Sequence, residues 1–122
     1  MSAPKGFSDK TVALIRARDD DRCAWCNRKI RGERGVDWSV HHRRARGSGG
    51  TSLAWVNLPG NGVLLCGSGT TLCHGLIESQ RAGAVEDGFL VSMNGVRVSS
   101  EVEIVHSVHG RCRLLDDGTV TR

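Results

Sequence analysis

The fold is decided by the stretch Asn61-Gly-Val-Leu-Leu-Cys-Gly-Ser-Gly-Thr-Thr-Leu-Cys-His-Gly75. Its apolar run at residues 63–65 leads into a cysteine and predicts a short strand. A loop of glycine, serine and threonine follows and ends at Cys73 and His74. A short helix is predicted from about His74 to Arg81, because a glycine that favours the end of a helix stands just beyond.

A second strand is predicted upstream, where residues 36–42 alternate apolar and polar side chains and end at His41 and His42. Neighbouring residues of a strand point to opposite faces, so one face cannot accept both imidazoles. Nearer the amino terminus, Ser8 is a suitable cap for a helix that runs to about Arg18. These segments predict a mixture of helices and strands.

The remainder of the chain predicts further short strands. Beyond Gly88 the apolar residues fall in short β-like pieces, and Asp117-Gly118 forms a turn before the last of them. We therefore predict an α+β fold in three parts. These are a flexible tail over residues 1–7, a main domain over residues 8–83, and a small β-rich extension of the same domain over residues 84–122.

Four of the five cysteines stand in two pairs that predict a metal site. Cys23 and Cys26 have the spacing of a zinc knuckle, in which a tight turn points two sulfurs at one tetrahedral ion. Six residues separate Cys66 from Cys73, and the flexible loop that they form can fold back so that both sulfurs face inward. We predict a structural zinc ion bound by these four residues, with Cys112 as a small hydrophobic residue. The odd number of cysteines and the lack of a signal peptide disfavour disulfides.

Composition limits the classes of protein to which this chain can belong. It has 122 residues, of which 39% are hydrophobic and 4% aromatic, so a metal would help to stabilise a thin core. It contains no run of about 18 apolar residues and no signal peptide, so we expect neither membrane insertion nor secretion. The net charge is +4, and residues 22–46 hold eight basic and two acidic residues. That segment predicts either a polyanionic partner or a solvated basic face.

Three stretches together resemble the HNH endonucleases, and in particular the small HNH proteins of phages that infect actinobacteria. They are Arg22-Cys-Ala-Trp-Cys26, Trp38-Ser-Val-His-His-Arg-Arg-Ala-Arg46 and the stretch that ends at Gly75. The order of two histidines, an asparagine and then a Cys-His pair is highly specific. The resemblance runs from about residue 7 to residue 81, roughly 60% of the chain. It implies a ββα-metal core, also called a His-Me finger.

By this resemblance, His41 is the first ligand of a catalytic divalent ion, His74 is the second, and His42 is the general base. A neutral imidazole with a pKa near 6.5 is suited to taking a proton at cellular pH. The asparagine of the family bridges the loop after the base through hydrogen bonds to the backbone. We assign that role to Asn61, with Asn57 as the alternative.

The resemblance implies Mg²⁺ or Mn²⁺ as the catalytic ion, in addition to the structural zinc. Two imidazoles suit a transition ion better than Mg²⁺, which prefers oxygen ligands. Glu78 lies one helical turn after His74 and is either a third ligand or a surface partner of Arg81. The sequence alone leaves both of these choices open.

We accordingly predict a metal-dependent DNA endonuclease that nicks or cuts with weak sequence specificity. Arg43, Arg44 and Arg46 are expected to grip the phosphates of double-stranded DNA. The resemblance implies the cytoplasm of a bacterial host cell, a role in phage DNA processing or packaging, and terminase subunits as partners. The alternative is a non-catalytic zinc-stabilised module that binds DNA or terminase and needs none of the three histidines. His106 and His109 are expected to be ordinary surface residues.

Overall fold

The computed structural model describes residues 6–45, 54–92 and 97–122, and Arg46 lies outside these ranges. Within them the chain forms a mixed α+β fold, as predicted. Its helices are α1 (Asp9–Arg18), α2 (Leu72–Ser79) and α3 (Arg81–Glu86). Its strands are β1 (Trp38–His42), β2 (Gly62–Cys66), β3 (Ile104–His106), β4 (Gly110–Leu114) and β5 (Val120–Thr121). No helix in the described ranges has both the length and the apolar composition that a membrane crossing requires.

Strands β1 and β2 form an antiparallel pair at the centre of the molecule. The register places Trp38 opposite Cys66 and His42 opposite Gly62. β1 begins two residues later than predicted, because residues 35–37 form a turn. Every residue of β2 is buried, which agrees with its uninterrupted apolar sequence. Helix α2 follows β2 after a short loop and contacts it, so the chain order is strand, strand, helix.

The amino-terminal helix α1 packs against β2. Ser8 caps this helix as predicted, because its side-chain oxygen accepts a hydrogen bond from the backbone N–H of Thr11 at 3.2 Å. Val12 and Ile15 lie in the hydrophobic core. Phe7 is only 6% exposed and belongs to the same core, so the prediction of a flexible tail is wrong at this residue. The first five residues lie outside the described ranges.

The carboxyl-terminal third of the chain forms a second antiparallel sheet, in the order β3, β4, β5. Its inward residues Ile104, Cys112 and Leu114 join one hydrophobic cluster with Leu64 of β2. Cys112 is therefore a small core residue, as predicted. The two sheets share a core, so the described part of residues 84–122 packs as one unit with the remainder of the molecule.

Candidate metal centres

The four predicted cysteines come together in one cluster. Their sulfur atoms all lie within 4.8 Å of one another, and the Sγ atoms of Cys26 and Cys66 are 3.8 Å apart. A tetrahedral zinc ion with Zn–S bonds of about 2.3 Å requires sulfurs about 3.8 Å apart. Cys23, Cys66 and Cys73 are buried, whereas Cys26 is exposed. The cluster therefore has the donor set and the spacing to hold a metal such as zinc.

The loop between Cys66 and Cys73 explains how a six-residue spacing serves one ion. Gly67 has a φ of +86°, and a Cβ atom there would collide with the backbone carbonyl of Thr71. The backbone N–H of Ser68 also donates to the side-chain oxygen of Thr71 at 2.8 Å. The glycine and this hydrogen bond close the loop tightly. Cys73 can therefore enter the cluster from the first turn of α2.

Burial favours the protonated form of two of these thiols when no cation is bound. Burial raises the pKa of the Cys23 thiol to about 11. Burial and the neighbouring sulfur of Cys23 also raise the pKa of Cys73. A divalent ion displaces such protons, because the thiolate is the form of cysteine that binds metal. Four sulfurs in this arrangement fit zinc, which is the ion predicted for them.

A second group of possible metal ligands lies between β1 and α2. His41 extends from β1, while His74 and Glu78 lie one turn apart on α2. Oε1 of Glu78 is 3.7 Å from Nδ1 of His41 and 3.7 Å from Nε2 of His74. The three ligand atoms all lie within 4.8 Å of one another. The structure thus brings together the two histidines predicted as ligands and adds Glu78, whose Oε2 accepts a hydrogen bond from Arg81 at 3.1 Å.

Hydrogen bonds orient both imidazoles toward this carboxylate. Nε2 of His41 donates to the carbonyl of Phe89 at 2.7 Å, which leaves the lone pair of the neutral ring on Nδ1. The hydroxyl of Ser39 donates to the carbonyl of Gly67 at 2.9 Å, so its oxygen accepts the proton of Nδ1 of His74 at 2.7 Å. The lone pair of His74 is therefore on Nε2. Outer hydrogen bonds of this kind commonly fix the tautomer of metal-binding histidines.

The surroundings keep both of these rings neutral. Burial, together with the nearby rings and Arg43, lowers the pKa of His41 to about 3. Burial also lowers the pKa of His74, against the opposing effect of Glu78. Metals bind the neutral form of imidazole, so an ion displaces no proton from these rings at pH 7. The Glu78 side chain is 39% exposed, so the cluster is open to solvent on that side.

His42 points to the opposite face of β1 from His41, as the alternation of a strand requires. Its Nε2 lies 2.8 Å from Oδ1 of Asn57, and a hydrogen bond donated there places the lone pair of the neutral ring on Nδ1. The ring of Phe7 stacks on His42, with 4.1 Å between centroids and an angle of 16° between planes. His42 therefore faces away from the two ligand histidines, and Asn57 and Phe7 are among the residues that contact its ring.

The two candidate asparagines make different contacts. Asn61 is buried, and its Oδ1 accepts a hydrogen bond from the backbone N–H of Arg44 at 2.8 Å. Its Nδ2 donates to the carbonyls of Arg44 and Val56 at 3.1 and 2.8 Å. Asn61 thus bridges the backbone that follows His42, as expected of the bridging residue. Asn57 instead contacts the imidazole of His42 directly.

Arg43 is buried, and the expectation that it grips DNA phosphates is wrong. The residue is 0% exposed. Its guanidinium donates four hydrogen bonds, of 2.7 to 3.1 Å, to the backbone carbonyls of Gly60, Gly88, Ser99 and Val102. A buried cation that loses such acceptors carries a large desolvation penalty, so this side chain does not turn outward to a ligand.

The other two predicted DNA contacts have different surroundings. Arg44 is partly exposed, and its guanidinium carbon lies 5.9 Å from the centre of the Trp55 ring. It also donates to the carbonyl of Ala45 at 3.2 Å. Arg46 falls outside the described residues. Of the three arginines, Arg44 is therefore the one that the structure places at the surface.

A third group of titratable residues joins α1 to the second sheet. His106 is 2% exposed, and its Nε2 donates to Oδ1 of Asp19 at 2.9 Å, so the expectation of a surface residue is wrong. Arg18 donates to both oxygens of the same carboxylate, at 2.7 and 2.9 Å. Nε2 of His109, which is partly buried, donates to the carbonyl of Arg18 at 2.7 Å. Although burial alone would raise the pKa of Asp19, the hydrogen bond from His106 and the charge of Arg18 hold it below its ordinary value.

The sequence carried one signal for this third group. The acidic run at residues 19–21 ends α1, where negative charge opposes the helix dipole unless a cation meets it. An unfavourable residue at such a position indicates a partner from elsewhere in the chain.

Comparison of the chain with family models, with curated proteins and with solved structures gave no match. Function is therefore inferred from the residues themselves.

Proposed function

We propose that this protein is a metal-dependent DNA endonuclease that hydrolyses phosphodiester bonds with weak sequence specificity. The observation that carries the proposal is the convergence of Nδ1 of His41, Nε2 of His74 and Oε1 of Glu78 on one partly exposed point. The order of strand, strand and helix around this point is the order that the resemblance to HNH endonucleases implies. In this proposal the ββα unit is a His-Me finger, and the four-cysteine site is its brace.

A divalent ion held by these residues would polarise the scissile phosphate and stabilise the charge that develops on its oxygens. Two imidazoles and a carboxylate favour Mn²⁺ or another transition ion over Mg²⁺, which prefers oxygen ligands throughout. Phe89 and Ser39 contribute by keeping both rings in the tautomers that metal binding requires.

His42 is the proton acceptor in this proposal. Its Nδ1 takes the proton of the attacking water, while Asn57 holds the other ring nitrogen. The stacked ring of Phe7 limits rotation of the imidazole. We place the scissile phosphate at the end of β1, because that end of the strand carries both His41 and His42.

Double-stranded DNA is the substrate in this proposal. The resemblance to phage HNH proteins adds the setting, which is the cytoplasm of a bacterial host during phage DNA processing or packaging. Terminase subunits are the protein partners that this setting suggests. Each of these statements depends on the resemblance and is secondary to the chemistry of the site.

A non-catalytic zinc module that binds DNA or terminase is the second candidate. The four-cysteine cluster supports it, because a structural metal alone is enough to stabilise such a module. It gives no reason for two imidazoles to be oriented toward one exposed carboxylate, and it needs no His42. We therefore prefer the endonuclease.

Nicking of supercoiled plasmid tests the proposal, with Mn²⁺, Mg²⁺, Ni²⁺ and Zn²⁺ each titrated into protein that already holds its structural zinc. His42→Ala is expected to lower the cleavage rate by about 10²–10⁴-fold, which is the usual contribution of a positioned base. His109→Ala, which removes an imidazole outside the ligand cluster, is the matched control and is expected to cut at the wild-type rate. Unchanged cleavage by His42→Ala would remove it as the base, and a wild type that cuts with none of these ions favours the binding module.

A further inference from the structure

We propose that the flank of the DNA lies in a groove between the segment that follows Cys26 and the start of α2, where Arg28, Lys29 and Arg31 contact its phosphates. We call this surface the knuckle groove. It is bounded by these three residues and Asp37 on one side and by Leu72 on the other. The identity of the ligand rests on the proposed function, whereas the groove and its charges are features of the structure.

The protein itself leaves the cations of the knuckle groove largely unpaired. Arg28, Lys29 and Arg31 are all exposed. Among the residues that the structure describes, neither arginine side chain has a hydrogen bond or an ion pair, and Lys29 reaches only the carbonyl of Asp20, at 3.4 Å. Asp37 is the acidic residue of the groove, and its carboxylate accepts a backbone N–H of its own loop at 2.7 Å. Three cations and one carboxylate leave a net charge that favours a polyanion.

The knuckle groove continues toward the proposed catalytic centre. Leu72 borders the groove and also the open surface over α2, which it lines together with Leu76 and Glu78. Leu72 and Glu78 are six positions apart on α2, which corresponds to about 9 Å of helix. One strand of DNA advances about 3.4 Å per nucleotide. A phosphate beside Leu72 is therefore about three nucleotides away from a phosphate at Glu78, so a contact in the groove is a flanking one.

This placement differs from the predicted contact at Arg43 and Arg44, the two described arginines that follow His42. Arg43 is buried there, and Arg44 lies over the ring of Trp55. Arg28 and Arg31 are instead exposed in the segment that follows Cys26, and Arg28 lines a surface together with three of the four clustered cysteines. Phosphate contacts of this kind hold the duplex in register without reading its sequence, which agrees with weak specificity.

Salt-dependent DNA binding tests the inference. Fluorescence anisotropy is measured with a labelled duplex and zinc-loaded protein, without any added ion that supports cleavage. In Arg28→Ala/Arg31→Ala the slope of log K against log salt is expected to fall by about two units, because each lost phosphate contact removes about 0.9. Arg111→Ala/Arg113→Ala is the matched control, since both residues are exposed on β4 and neither borders the groove. The control changes the net charge equally and is expected to keep the wild-type slope.

Two further measurements keep the result unambiguous. Arg28 lies beside Cys26, so zinc content is measured for every variant, and Lys29→Ala/Arg31→Ala repeats the test without touching Arg28. A wild-type slope in both double variants would contradict the proposal that the knuckle groove binds DNA. A wild type that binds no DNA would contradict it as well. Plasmid cleavage by the wild type decides the endonuclease separately. If the wild type cuts DNA but the variants bind DNA normally, the groove is rejected and the endonuclease is retained. If the protein binds DNA through the groove but does not cut it, the endonuclease is rejected and the groove is retained.

Discussion

Two clusters in this molecule contain the same side chains, two histidines and one carboxylate, and differ in what they can do. In the cluster of His41, His74 and Glu78, outer hydrogen bonds use the ring N–H groups, and the lone pairs face the carboxylate. In the other cluster, Nδ1 of His106 accepts a backbone N–H at 3.1 Å and its Nε2 donates to Asp19. The cluster of His41, His74 and Glu78 is arranged to bind a cation. In the cluster around Asp19, the guanidinium of Arg18 is already the cation that meets the carboxylate.

The direction of each hydrogen bond, rather than the composition of the cluster, makes this difference. Both oxygens of Asp19 accept from Arg18, and one of them also accepts the backbone N–H of Leu64 at 3.2 Å. The carboxylate of Asp19 is therefore already bonded to donors of the protein itself. Glu78 is in contrast 39% exposed. Proximity of ligand-type atoms is thus a poor guide to metal binding until donors and acceptors have been assigned.

The largest difference between the clusters is expected in stability. Asp19→Asn should lower the free energy of unfolding by about 3–5 kcal/mol, because it leaves the buried guanidinium of Arg18 without its charge partner. The side chain of Asp19 is 0% exposed and that of Arg18 is 2% exposed. The matched change Glu78→Gln should cost less than about 1 kcal/mol, since exposed ion pairs contribute little. Urea unfolding of zinc-loaded protein at pH 7 measures both, and equal losses would contradict the contrast.

A smaller effect is expected on metal affinity. Ser39→Ala removes the oxygen that accepts the Nδ1 proton of His74, so the ring is free to adopt the wrong tautomer. Affinity for Mn²⁺ should fall by about 10–100-fold, as it does when outer partners of metal-binding histidines are removed. Ser79→Ala is the control, because that hydroxyl donates to the backbone of Leu76 and contacts neither ligand. Electron paramagnetic resonance of free Mn²⁺, titrated into zinc-loaded protein, measures the affinity, and no change in Ser39→Ala would exclude this role.

The smallest expected effect is on the pH dependence of the free energy of unfolding. The pKa of His41 is lowered to about 3, so the folded protein leaves this ring neutral while the unfolded chain protonates it below about 6.5. Stability therefore decreases as pH falls through this window, by up to about 1.4 kcal/mol per pH unit for this group. His41→Asn should show a correspondingly weaker decrease between pH 6 and pH 5. Urea unfolding at several pH values, without added divalent ions, measures the slopes, and parallel slopes would argue against a neutral buried His41.

The parts of the molecule that the sequence predicts well depend on short-range patterns. The α+β class, the Ser8 cap and the grouping of the cysteines follow from local periodicity, capping chemistry and the needs of a tetrahedral ion. The sequence alone allows two roles for Glu78, because both His74 and Arg81 lie about one helical turn from it. Only the orientation of the rings shows which atoms face one another.

The parts that could not be predicted depend on residues far apart in the chain. His106 meets Asp19 across 87 positions. Arg43 finds the carbonyl of Val102 across 59 positions. In the sequence these residues are indistinguishable from exposed histidines and arginines, because nothing local states which surface the second sheet will cover. Phe7 is a similar case, since its burial depends on the ring of His42.

The buried Arg43 has a consequence for protein engineering. Three of the four carbonyls that it binds belong to residues 88–102, beyond the strand, strand and helix unit. A fragment that ended at α3 would retain every cysteine of the metal cluster and every histidine of the open one, but Arg43 would lose three of its four carbonyl acceptors and the apolar surface under the second sheet would be exposed. Strand β1, which carries His41 and His42, is therefore unsuitable for transfer by itself into another scaffold. A miniaturised version of this protein would have to replace Arg43 with an apolar residue and redesign the surface that the second sheet covers.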